Sequence, residues 1–102
     1  MSVLLIMTMP EGVPMQFVDE LTKDMNVSDD PPVGLVAHVH HEHEGRVRVV
    51  DIWESRAAYD TFTADRLGPA MQRVAERHGI DLAGGPQPEA EFFDASDPVI
   101  GR

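Results

Sequence analysis

The chain is expected to fold as an α+β domain in the ferredoxin-like order β-α-β-β-α-β, with one antiparallel sheet and both helices on one face. Three observations predict this: a continuous apolar run near the N-terminus, an alternating segment broken by Glu44-Gly45, and two stretches with apolar residues at helical spacing. At 102 residues, one domain is the expected count.

Val3-Leu4-Leu5-Ile6-Met7 is the first strand, ended by Pro10 and Gly12, and its unbroken apolar character suits cover on both faces. Pro14 suits the first turn of a helix. Phe17, Val18, Leu21 and Met25 then form an apolar stripe opposite Gln16, Asp19, Glu20, Lys23 and Asp24. Asn26 to Pro32 is rich in Asp, Ser and Pro and reads as a loop. Val33 to His43 and Val47 to Trp53 read as a hairpin around Glu44-Gly45. Ser55 is an N-cap for a second helix, whose stripe begins with Ala58, Tyr59 and Phe62. Gly68-Pro69 should interrupt and bend that helix, with Leu67, Met71, Val74 and His78 continuing the stripe to a C-cap at Gly79. Glu89 to Phe93 is a last short strand closing a domain over residues 1–93, and 94–102 is read as a C-terminal arm.

Charge narrows the partners. Eight basic residues against eighteen acids give a net charge of −10, with one lysine facing eight acids in residues 1–45. No nucleic acid and no anionic membrane surface is expected as a partner, because both require a basic face. At 42% hydrophobic the chain is too apolar for a disordered acidic tail. The absence of cysteine excludes disulfides, thiol nucleophiles and thiolate metal sites. Met1 to Met9 lacks a basic leader, so a cytoplasmic location is the expectation. A sheet with helices on one face leaves the other uncovered, and a second copy of the chain is the expected cover, as a two-fold homodimer.

The turn sets the hairpin register. With Glu44-Gly45 as a two-residue loop, His38 lies opposite Asp51, His40 opposite Val49 and Val36 opposite Trp53. One face then carries Val36, His38, His40, Val49, Asp51 and Trp53; the other carries Leu35, Ala37, Val39, His41, Arg48, Val50 and Ile52. The second set has the more continuous apolar centre and is expected under the helices, leaving the first toward the dimer side. A carboxylate across a strand pair from an imidazole orients the ring and raises its basicity, so His38 and Asp51 are the candidate catalytic pair. Trp53, with Val36, His40, Tyr59 and Phe62, would wall a site for an aromatic small molecule. The plainer reading is a satisfied polar pair in the core beside a packed Trp.

His38, His40, His41 and His43, flanked by Glu42 and Glu44, invite a metal. Alternation puts two on each face, so no metal site is assigned and a solvated hairpin end is preferred. Gly84-Gly85-Pro86 lacks the strand-to-helix context of a phosphate cradle.

The run Val50 to Phe62 resembles the third strand and second-helix start of the antibiotic biosynthesis monooxygenase-like family of dimeric α+β barrels, through Trp53, Ser55, Ala58, Tyr59 and Phe62. The resemblance extends over residues 2–93. It implies a homodimer with a cavity per subunit between sheet and helices, in a superfamily of cofactor-free monooxygenases, haem-degrading enzymes, isomerases and members without known activity. The haem-degrading pattern needs an Asn on the first strand, the Trp, and a His on the second helix. Only Trp53 matches, since Gln72 stands near the ligand position, Leu5 and its neighbours occupy the strand, and His78 lies too far along. No cofactor is therefore expected. The resemblance does not imply one chemistry; with the predicted His–Asp pair, the first hypothesis is oxidation of an aromatic or polyketide-like small molecule with His38, oriented by Asp51, as base, and the alternatives are a non-catalytic ligand-binding or structural dimer, and a metal-dependent enzyme using the His cluster.

Overall fold

Four strands and two helical arms follow one another in the expected order in the computed structural model, which describes residues 1–81 and 84–101. They are β1 (Ser2–Thr8), α1 (Met15–Asp24), β2 (Leu35–His43), β3 (Arg46–Trp53), α2 (Arg56–Phe62), α3 (Gly68–His78) and β4 (Glu89–Ala95), with a π-helical turn, Thr63–Leu67, between α2 and α3. The strands lie in the order β2-β3-β1-β4, each antiparallel to its neighbour. β3 thus lies between β1 and β2, the split βαβ arrangement of an α+β ferredoxin-like fold.

Local chemistry accounts for the ends of these elements. Glu44 (φ 52°) and Gly45 (φ 79°) both adopt positive φ, the signature of a tight two-residue hairpin turn whose twist matches its strands. Ser55 caps α2 by accepting the Ala58 N–H at 3.1 Å. Gly79 closes α3 in the left-handed conformation, φ 67°. Pro14 stands just before α1 in extended conformation rather than inside its first turn. β4 runs to Ala95, two residues beyond the expected end, and Arg102 of the expected arm lies outside the described residues.

The interruption expected at Gly68-Pro69 takes the form of a π turn: the helix widens instead of breaking. Gly68 keeps helical dihedrals, and its N–H reaches back five residues to the Thr63 carbonyl. Proline has no N–H to give and its ring collides with the carbonyl four residues earlier in a regular α-helix; one π turn moves that carbonyl aside.

The face assignment also changes. Leu5, Met7 and Met9 from β1 and its exit and Val47, Val49, Asp51 and Trp53 from β3 lie toward the helices. Phe17, Val18 and Leu21 of α1 and Ala70 and Val74 of α3 close over Met9 and Val47; Tyr59 and Phe62 close over Leu5 and Trp53. The set expected toward the dimer side is therefore beneath the helices, with Leu35 in place of Val36, and Ala37, Val39, His41, Arg48, Val50 and Ile52 lie on the open face. The helices settle the choice: their apolar stripes pack on Leu5, Met7, Met9 and Trp53, side chains that bury large areas. The open face still presents apolar groups, with Val39 56% and Phe93 45% exposed. No described helix is long and apolar enough to cross a membrane.

Candidate active site

β2 and β3 bring the candidate pair together through the register that the hairpin turn imposes. His38 pairs with Asp51 across the ladder, and His38 Nδ1 lies 2.7 Å from Asp51 Oδ1. The other carboxylate oxygen, Oδ2, accepts the Trp53 Nε1–H at 3.1 Å. Asp51 is 5% exposed, so these two donors take over the hydration an ionised carboxylate loses on burial. The His38 side chain retains 24% exposure, so the pair is not sealed in the core.

A cavity of ≈ 60 Å³ opens beside the pair, between the sheet and the helices. Its wall is apolar apart from Asp51, His38 and Thr22, and includes Leu5, Leu35, Trp53, Tyr59, Phe62 and Leu67 with Met7, Met25 and Met71. The aromatic side is a stack: Trp53 meets Phe62 at 5.1 Å and Tyr59 at 5.7 Å between ring centres, and Tyr59 meets Phe92 edge-on at 5.3 Å. Arg56 lies over the outer Phe92 ring at 3.6 Å. A volume this small holds on the order of four waters, so a larger guest enters only as side chains move. The unbranched methionines are the side chains best able to do so.

Trp53, Tyr59 and Phe62 thus border the cavity as expected, while two other expected wall residues do not. Val36 falls in a β-bulge between Leu35 and Ala37, which slips the ladder so that Leu35, not Val36, stands opposite Trp53 and lines the cavity. His40 lies on the same face as His38 but turns toward α1: its Nδ1 is 3.2 Å from His38 Nε2 and its Nε2 is 2.7 Å from Asp19 Oδ1. Asp19 is the functional candidate that sequence reasoning left on the solvent side of α1. Its one signal is its place beside the apolar Val18, at the margin of the stripe.

Both ring nitrogens of His38 are consequently engaged, Nδ1 by Asp51 and Nε2 by His40. Asp51 keeps acceptor capacity, since two N–H donors leave further lone pairs on its oxygens. The other two hairpin histidines, His41 and His43, point to the opposite face, with ring centres 6.4 Å apart. Among the described residues no three His, Asp or Glu side chains gather as a metal site. Gln72 hydrogen-bonds Glu76 and His78 pairs with Glu20, both at exposed positions.

No family model and no curated protein matches the sequence. Solved structures do match. SnoaB, a cofactor-independent oxygenase from Streptomyces nogalater, superposes with a TM-score of 0.59 at 15% identity over 96% of this chain and 95% of its own. A monooxygenase from the gene ActVA-Orf6 of Streptomyces coelicolor, solved with Nanaomycin D, gives 0.57 at 19% identity over 99% and 93%. A conserved protein from Methanosarcina mazei gives 0.64 at 12% identity over 93% of each chain. At these identities it is the architecture that is shared, and the architecture of this chain is that of the antibiotic biosynthesis monooxygenase-like proteins.

Proposed function

We propose that this protein is a cofactor-independent monooxygenase acting on a phenolic or enolic aromatic small molecule in the cavity between sheet and helices. One observation carries the reading: the ionisable Asp51–His38 pair, with Asp51 buried, borders a largely apolar, aromatic-walled cavity. Structural neighbours that include a cofactor-independent oxygenase support the reaction class. The Asp51 carboxylate takes the substrate hydroxyl proton at a free lone pair, held in place by His38 Nδ1–H and Trp53 Nε1–H. This exchanges the roles expected from sequence, because His38 has no unengaged nitrogen. The resulting anion is electron-rich enough to react with dioxygen directly. For a phenol oxidised to a quinone, one oxygen atom enters the ring and the other leaves as water, all electrons coming from the substrate. The apolar walls exclude water from the anion.

The same reading takes the protein as a homodimer closed through the open sheet face, where Val39 and Phe93 stand exposed. Sedimentation velocity showing a single chain at micromolar concentration would remove that part.

The test pairs oxygen uptake with binding. Trp53 is the sole tryptophan and borders the cavity, so its fluorescence reports ligand entry. With a phenol identified by quenching, Asp51→Asn and His38→Ala are expected to lower turnover by about 10²-fold or more while quenching persists. Full turnover in Asp51→Asn refutes the assigned base. Quenching without oxygen uptake in the unaltered protein makes it a binding module instead.

A further inference from the structure

Four side chains from three elements form one unbroken line: Asp51 of β3, His38 and His40 of β2, and Asp19 of α1. The line runs from a carboxylate that is 5% exposed to one whose side chain is 50% exposed. Its three gaps, 2.7, 3.2 and 2.7 Å, are all at hydrogen-bond distance.

A hydrogen bond needs one proton in its gap. Three gaps need three protons, and ionised carboxylates at both ends supply none. Two neutral imidazoles carry one N–H each, which fills two gaps and leaves lone pair facing lone pair in the third. The geometry points to one additional proton: we propose that His38 and His40 together carry a single positive charge, and that Asp19, at the surface, is the positioning residue that holds it there. The charge rests on His38 when the proton in the middle gap sits on Nε2, and on His40 when it sits on that ring's Nδ1. Moving between the two requires no rotation of either ring. Asp51 and Asp19 are the charged groups in ion-pair contact with these rings among the described residues; the remaining neighbours on the cavity side, such as Leu35 and Val49, are apolar.

The consequence, which rests on the function proposed above, is that a positive charge held from outside the cavity by Asp19 stands beside the Asp51 carboxylate and favours its ionised over its protonated form.

Asp19→Asn isolates the claim. The amide has the same shape but donates an N–H to His40 Nε2, so all three gaps are filled by two neutral rings. Long-range ¹H–¹⁵N correlation of histidine-labelled protein near neutral pH is expected to show three protonated nitrogens among the four of His38 and His40, and two in Asp19→Asn. Two in the unaltered protein, or an unchanged pattern in the variant, overturns the proposal. With a turned-over phenol in hand, the acidic limb of the kcat–pH profile is expected to move to higher pH in Asp19→Asn with little change in KM. Loss of one protonated nitrogen with an unmoved profile upholds the shared proton and refutes Asp51 as the base.

Discussion

Trp53 combines near-complete burial, 1% exposure, with one polar atom that must find a partner. Asp51 Oδ2 is that partner, and the bond serves both groups. Replacing Trp53 with Phe leaves a gap against Phe62 and Tyr59 and removes one of the two donors to a buried carboxylate. A loss of about 2–3 kcal/mol in urea unfolding is expected, since bonds to charged groups contribute about 1.5–3 kcal/mol. A loss below about 0.5 kcal/mol would show that the carboxylate does not depend on the indole. At this scale the sequence was informative where the turn governs it: the His38–Asp51 pairing follows from Glu44-Gly45, only six residues from either partner. Asp19 was not legible, because it meets His40 across 21 residues of chain and its local pattern is that of any polar helix face.

The loop before β2 passes close against α2. Gly34, φ +88°, has its backbone against Ala58, and a Cβ added there would stand 2.5 Å from the Ala58 Cβ. The same residue anchors the hairpin base, its carbonyl accepting the Glu54 N–H at 2.8 Å. Gly34→Ala therefore incurs both left-handed strain and overpacking, and is expected to destabilise by about 2–4 kcal/mol. Adding Ala58→Gly relieves the overlap but not the strain, so thermal unfolding of the four proteins should reveal a favourable coupling of about 1 kcal/mol or more. Strict additivity would refute the contact. Element type and order were readable from periodicity, as were the Ser55 and Gly79 caps. The π turn was not: Gly68-Pro69 signals an interruption, and only the carbonyl geometry decides between a break and a widening. Likewise, alternation divides the hairpin into two faces without saying which is covered. That choice lies with β1 and the helices, whose large side chains meet Trp53 rather than Val39.

For the molecule as a whole, an ionic clamp joins the two helical arms. Asp24 accepts from Arg73 Nη2 at 2.6 Å and from Arg77 at 3.3 Å, while Glu20 accepts from Arg77 at 3.1 Å and pairs with His78. The hydrogen bond from His78, then that from Arg77, holds the Glu20 carboxyl below its ordinary range; for Asp24 the Arg73 and Arg77 bonds do the same. A carboxyl depressed in the folded state adds stability that is complete above its unfolded value and is lost as pH falls through the folded one. Unfolding free energy is thus expected to fall as pH drops below about 4, and the fall to be shallower in Asp24→Asn. Parallel curves for the two proteins would show that the clamp is not what acid releases. The net charge of −10 also acquires structure here: part of the acidity on α1 is matched by arginines on α3, and Asp19 is matched by the histidine pair.

The bulge at Val36 separates two registers. From Ala37 to the turn, β2 is indexed by Glu44-Gly45; before it, the chain is indexed by Gly34 seated on Ala58. Their mismatch of one residue is absorbed between them, at the cavity wall. A residue gained or lost in the preceding loop can therefore be accommodated by forming or dissolving the bulge, exchanging Leu35 for Val36 beside Trp53 while His38 and Asp51 stay in place. A change of loop length thus alters the cavity wall beside Trp53 and leaves the His38–Asp51 pairing where the turn sets it.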